Sequence, residues 1–128
     1  MQDYSNTSHT VYTMNTNDIL SKNMAVECIL IKAIDREEKS RGELFEAVLS
    51  LLLQQVIEID RFRIICEKDN RFSAELLRIA SKNAGAVAMT ERLQEEGDKS
   101  GDLAEALLTL IQSQFNDIQI VRRDFTTF

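Results

Sequence analysis

The sequence predicts an all-α protein: a bundle of three to four helices behind a flexible or extended N-terminal leader. Three observations predict it. The 128 residues include no proline, the residue that breaks helix interiors by removing a backbone donor and clashing with the preceding turn. Only four glycines are present, which leaves few places for turns that depend on a positive φ. Apolar residues recur every three and four positions over long stretches, the period of a helix with one buried face. The length suits one domain, and 44% hydrophobic with 28% charged residues is ordinary for a chain that builds a core.

Residues 1–16 are rich in Ser, Thr and Asn and show no helical period. They read as a disordered or partner-ordered leader, with 17–128 as a single helical domain. The stretch HTVYTM (9–14) alternates like a strand but is too short to stand alone.

The first helix is expected over 18–38. Thr16 or Asn17 offers an N-cap, and Asp18 suits the positive end of the helix dipole. Leu20, Met24, Cys28 and Ile31 form its apolar stripe, widened by Ile19, Val26, Ile29, Leu30 and Ile34.

A second helix is expected over 41–68, opened by the capping box Ser40-Arg41-Gly42-Glu43. On a helical wheel Glu43, Glu46, Ser50, Gln54 and Arg61 share a narrow sector. Leu44, Phe45, Val48, Leu49, Leu51, Leu52, Leu53, Val56 and Ile59 cover an arc of roughly 200°. Such a helix is expected at the centre of the bundle, with neighbours around most of its girth. With Glu46 inside it and Gln54-Gln55 closing it, the run falls short of the about 20 apolar residues a bilayer span needs. Past Ile59 the phase changes, which points to a bend or a change of neighbours.

EKDN (67–70) reads as a break, with Asp69 or Asn70 as the next cap. The third helix is expected over 71–96, with Phe72, Leu76, Ile79, Asn83, Ala86 or Val87, and Leu93 on one face. Its small-residue cluster NAGAVAM (83–89) reads as a close helix crossing or a face between subunits. Gly97 suits a left-handed C-terminal position and Ser100 the cap of a fourth helix over 101–123. There Ala104, Leu108, Ile111, Phe115 and Ile118 step by four and three, the rhythm a bundle or coiled coil uses.

No catalytic set emerges. His9 is the single histidine and lies in the expected leader, so histidine triads and histidine acid–base chemistry have no support. No glycine-rich phosphate loop is present. Two cysteines with one histidine make no zinc site, and Cys28 and Cys66 read as small hydrophobes. No cofactor or metal is expected. The net charge of −6 has the wrong sign for neutralising phosphates, which argues against nucleic acid. The N-terminus lacks an apolar signal segment. Cytoplasm is the default location, with signal-independent secretion or an extracellular assembly left open.

The function expected is therefore non-enzymatic and exercised through protein contacts. The leading form is a self-assembling structural subunit, a homo-oligomer or filament; the alternative is a small acidic adaptor, chaperone or inhibitor of one partner protein. The candidate packing or interaction face comprises Leu44, Val48, Leu52, Val56, Ile59, Ala84, Gly85, Ala88, Leu108, Ile111, Phe115, Ile118, Phe125 and Phe128.

Overall fold

Helix α1 runs Asp3–Asp35, α2 Glu38–Lys68, α3 Ser73–Glu96 and α4 Asp102–Thr126 in the computed structural model, which describes residues 3–35, 38–96 and 101–126. Each helix packs on its neighbours in sequence, and α4 closes the ring onto α1. The backbones of diagonal helices stay apart among the described residues, and across the middle Gln114 on α4 reaches Gln55 on α2. The result is an up-down-up-down four-helix bundle.

The buried positions follow one rule in every helix. In α2 the seam is Phe45, Val48, Leu52, Gln55, Ile59, Phe62 and Cys66, and in α4 Ala104, Leu107, Ile111, Gln114, Ile118, Val121 and Phe125, with Asp117 buried beside it. In α3 they are Leu76, Ile79, Asn83, Ala86, Thr90 and Leu93. The seams step alternately by three and four, the spacing that keeps one seam of a helix facing its neighbours.

Helix α1 extends through much of the segment expected as a leader. It is helical from Asp3, and its buried seam begins at Tyr12, followed by Thr16, Ile19, Asn23, Val26, Leu30 and Ala33. Thr16 is thus not a cap. Its hydroxyl donates back to the Tyr12 carbonyl at 2.7 Å, a bond that hides the polar group inside the helix. The expected stripe of α1 was also one residue out of register, since Met24, Cys28 and Ile31 are exposed. Polar Thr16 and Asn23 occupy the seam, so the true period is masked by chemistry.

Helix α2 is no more central than the others, for like each of them it packs along two neighbours, α1 and α3. Its outer face keeps Leu53, Ile57 and Ile64 exposed. Gln55 does not close the apolar run but sits fully buried in its middle, and beyond Ile59 the seam continues in phase through Phe62 and Cys66. The helix begins at Glu38, so Ser40 lies within it rather than capping it. Arg41 caps instead, and it caps α1: its guanidinium donates to the Ala33 carbonyl at 2.8 Å and the Ile34 carbonyl at 3.3 Å. These are among the last carbonyls of α1, which lack partners within their own helix.

Between α2 and α3 the chain stops helix and restarts it. The Asn70 amide donates to the Glu67 carbonyl and the Arg71 amide to the Cys66 carbonyl, the paired bonds of a Schellman motif. Asn70 takes the left-handed position at φ 55°, and Phe72 is left-handed too at φ 59°. The Phe72 carbonyl then accepts the first bond of α3, from the Leu76 amide. The cap expected at Asp69 or Asn70 therefore belongs to the end of α2, and α2 and α3 are separate helices. Before α4, Gly101 at φ 80° accepts from the Glu105 amide. Gly97 and Ser100, expected to end α3 and cap α4, lie outside the described residues.

The bundle repeats itself. Ile19-Leu-Ser-Lys-Asn23 on α1 returns as Ile79-Ala-Ser-Lys-Asn83 on α3, 60 residues later. LFEAVLSL (44–51) on α2 returns as LAEALLTL (103–110) on α4, 59 residues later. Lys39-Ser40-Arg41-Gly42 matches Lys99-Ser100-Gly101, so Arg41 is the residue that shifts the spacing. The contacts repeat as well. Lys22 on α1 pairs with Glu58 on α2 at 2.8 Å, and its counterpart Lys82 on α3 pairs with Asp117 on α4 at 2.5 Å. The hairpins α1–α2 and α3–α4 thus share these short stretches and this pairing.

Candidate interaction surface

Two hydrophobic clusters fill the bundle, one around Phe62 and Tyr12 and one around Leu52 and Leu107. Between them lies a layer of four amides, one per helix: Asn23, Gln55, Asn83 and Gln114. Each donates to a main-chain carbonyl of an adjacent helix. Asn23 reaches Ile111 at 2.9 Å, Gln114 reaches Ile79 at 3.0 Å, Asn83 reaches Leu52 at 3.1 Å and Gln55 reaches Ile19 at 3.0 Å. The four bonds run in one direction around the bundle and close a ring. Gln55 Oε1 also accepts from Asn83 at 2.8 Å and from Gln114 at 3.1 Å. Asn23 Oδ1 is buried and accepts nothing among the described residues. This layer locks the helices in one register, because a shift of any helix strands several buried amides.

At one end of the bundle the rings of Phe62, Phe72 and Phe125 meet Tyr12 edge-on, with centroids 5.5, 6.0 and 5.7 Å away. The Tyr12 hydroxyl donates to Asp69 Oδ2 at 2.5 Å, and the Arg71 guanidinium lies over the rings of Tyr12 and Phe72 at 5.6 and 5.3 Å. Burial, helped by the Asp69 carboxylate, pushes the Cys66 thiol up to about 12. Burial and then the bond to Asp69 push the Tyr12 hydroxyl up as well. Both groups therefore stay protonated at neutral pH, and the cluster serves to fasten α1 to the α2–α3 turn.

The open feature is on the side. A groove of about 280 Å³ runs between α2 and α3, lined mainly by Leu53, Val56, Ala80, Ala84 and Val87, with Asp60 at its edge and Asn83 at its floor. The sequence repeat explains why it is open. The α1–α4 seam is its counterpart, and there Leu20 stands where Ala80 stands and Phe115 where Val56 stands. Leu20 is buried, and Phe115 packs on the same cluster. Smaller side chains at the α2–α3 seam leave the corresponding space unfilled. Around it Leu53, Ile57, Ile64 and Leu77 are 49%, 58%, 58% and 57% exposed. Of the exposed large apolar residues, Leu53 lines the groove and Ile57, Ile64 and Leu77 lie on the same two helices, while Met14, Met24 and Ile31 lie on α1.

The candidate face drawn from the sequence divides accordingly. Val48, Leu52, Ile59, Ile111, Ile118 and Phe125 are buried in the chain's own core. Leu44, Leu108 and Phe115 pack half-buried against that core. Gly85 faces α4, where a Cβ would meet Leu110 Cδ2 at 3.3 Å, so this member of the small-residue cluster serves a close crossing within the chain. Val56 and Ala84 line the groove, Ala88 is exposed next to it, and Phe128 lies outside the described residues. Leu53, Ile57, Leu77 and Ala80 were missed. The signal that finds them is the repeat, which sets Ala80 against Leu20 and Val56 against Phe115.

Among the described residues no three His, Cys, Asp or Glu side chains come together as a metal site requires. No described helix is long and apolar enough to cross a membrane. No family model matches the chain, and neither does any curated protein or solved structure compared with it.

Proposed function

We propose that this protein acts through contacts with other protein chains, as a self-associating helical subunit, and that the α2–α3 seam is its contact face. The observation that carries this reading is the difference between two equivalent seams. One is filled by Leu20 and Phe115; the other, with Ala80 and Val56, is an open apolar groove beside exposed Leu53, Ile57 and Leu77. Burying an exposed leucine or isoleucine stabilises an interface by about 1.5–3 kcal/mol at full burial, so leaving several exposed on one face is the state of a surface awaiting a partner.

Sedimentation equilibrium on the purified chain tests the reading. The expected result is a mass above the 14.6 kDa of one chain at tens of micromolar, returning to it in Leu53→Glu. A chain that stays monomeric at that concentration sinks the self-association reading. The remaining reading is then the adaptor one, a single chain masking an unlike partner.

A further inference from the structure

We infer that the occupant of the α2–α3 groove is the same face of a second copy, docked antiparallel about a two-fold axis that crosses the groove at the level of Gln55 and Asn83. This rests on the self-association reading above and specifies its geometry.

A two-fold contact brings a patch against itself, so hole and filler must lie on one face. They do here: the groove between Val56 and Ala80 is flanked by Leu53 and Ile57 on α2 and by Leu77 on α3. The groove is also centred on the proposed axis. Its lining extends from Ile59 and Ala80 on one side of the amide layer to Leu53 and Val87 on the other.

The charges set the direction. Asn83 Nδ2 donates to Gln55 Oε1 at 2.8 Å, so these two residues mark one level on antiparallel helices. At 1.5 Å per residue, Glu46 and Glu91 lie about 13 and about 12 Å from that level toward one end. By the same rise, Arg61 and Arg63 lie about 9 and about 12 Å from it toward the other end. None of the four enters an ion pair among the described residues. Glu91 follows Leu77 and Ala84 at seven-residue spacing on α3, and Arg63 follows Val56 on α2, so both border the groove face. A two-fold axis through the amide layer carries the end of one copy that bears Glu46 and Glu91 onto the end of the other that bears Arg61 and Arg63, at matched distances. A parallel arrangement would set Glu46 and Glu91 against their own copies. The antiparallel contact therefore sets Glu46 and Glu91 of one copy toward Arg61 and Arg63 of the other, with Asp60 of the groove lining nearer the axis, and it closes at two subunits.

The test is a charge exchange on the full chain, read by sedimentation equilibrium, with circular dichroism melting as the folding control. Glu91→Arg alone and Arg63→Glu alone each set like charges together twice per dimer. Each is expected to raise the dissociation constant about tenfold or more. An equimolar mixture of the two variants is expected to form a heterodimer of near wild-type affinity, since every contact is then opposite in sign. A wild-type dimer that tolerates both changes, or a mixture that shows no rescue, overturns the antiparallel docking while self-association stands. Growth of the wild type into open polymers likewise overturns the closed two-fold form. A wild type that never associates removes the underlying reading itself.

Discussion

Asn23 Nδ2 lies 2.9 Å from Gln114 Oε1, joining the first helix to the last inside the buried core. This contact and its relatives make the middle of the bundle polar, and they are unequal in consequence. Gln55 donates one bond and accepts two, so Gln55→Leu removes three bonds and leaves Asn83 and Gln114 short of their acceptor. A loss of about 2–3 kcal/mol is expected. Asn23 carries the one buried amide oxygen without a donor, so Asn23→Leu also removes an existing penalty and costs about 1 kcal/mol or less. Urea unfolding of the two variants checks the order; a larger loss at Asn23 contradicts it.

The α2–α3 turn holds a second test. Asn70 sits left-handed at φ 55°, a conformation that costs most side chains about 1–2 kcal/mol and glycine nothing. Asn70→Gly is expected to stabilise the fold by up to about 1 kcal/mol and Asn70→Ala to destabilise it by about as much. Thermal melting separates the two by sign.

Gly85 is a helix-interior glycine whose replacement is also favourable. The added methyl of Gly85→Ala would approach Leu110 Cδ2 to 3.3 Å, and that atom ends a flexible side chain. The gain in helix propensity is about 1 kcal/mol, so a net rise in stability is expected. A fall in melting temperature would show that Leu110 has no room to yield.

The two cysteines behave oppositely. Cys28 is exposed and Cys66 buried, so a thiol reagent is expected to label one site promptly in the native protein and both after unfolding. Cys66 is raised from its ordinary 9.0 to about 12 by burial. Below pH 9 both folded and unfolded thiols hold their proton and the contribution to stability is whole. Between pH 9 and about 12 the unfolded thiol ionises while the folded one does not, so stability falls as pH rises, by up to about 1.4 kcal/mol per pH unit. In Cys66→Ala the alkaline slope of the unfolding free energy is expected to flatten, with Tyr12 supplying what remains.

Most of the fold was legible in the letters, because α4 keeps apolar residues at every seam position but Gln114, and in α3 few large apolar residues point outward to blur the period. Residues Leu76, Ile79 and Leu93 announce their period directly. The start of α1 was not legible, since Thr16 and Asn23 occupy the seam while apolar Met24, Cys28 and Ile31 point outward. Gln55 misled in the same way: a glutamine ending an apolar run looks like a boundary, and only its bonds to Ile19, Asn83 and Gln114 make it a core residue. The groove needed more than periodicity. Ala80 is an unremarkable half-buried alanine until the repeat sets it beside Leu20, and the repeat itself was obscured because several of its shared residues are the polar Ser, Lys, Asn and Gln.

The turn at 69–72 has one more consequence. It tethers two like hairpins that would otherwise have to find each other by diffusion. A short tether holds them at an effective concentration in the millimolar range, so pairing becomes a first-order event within one molecule. Folding of the bundle is then indifferent to dilution. Any dependence on protein concentration would then come from contacts between whole chains.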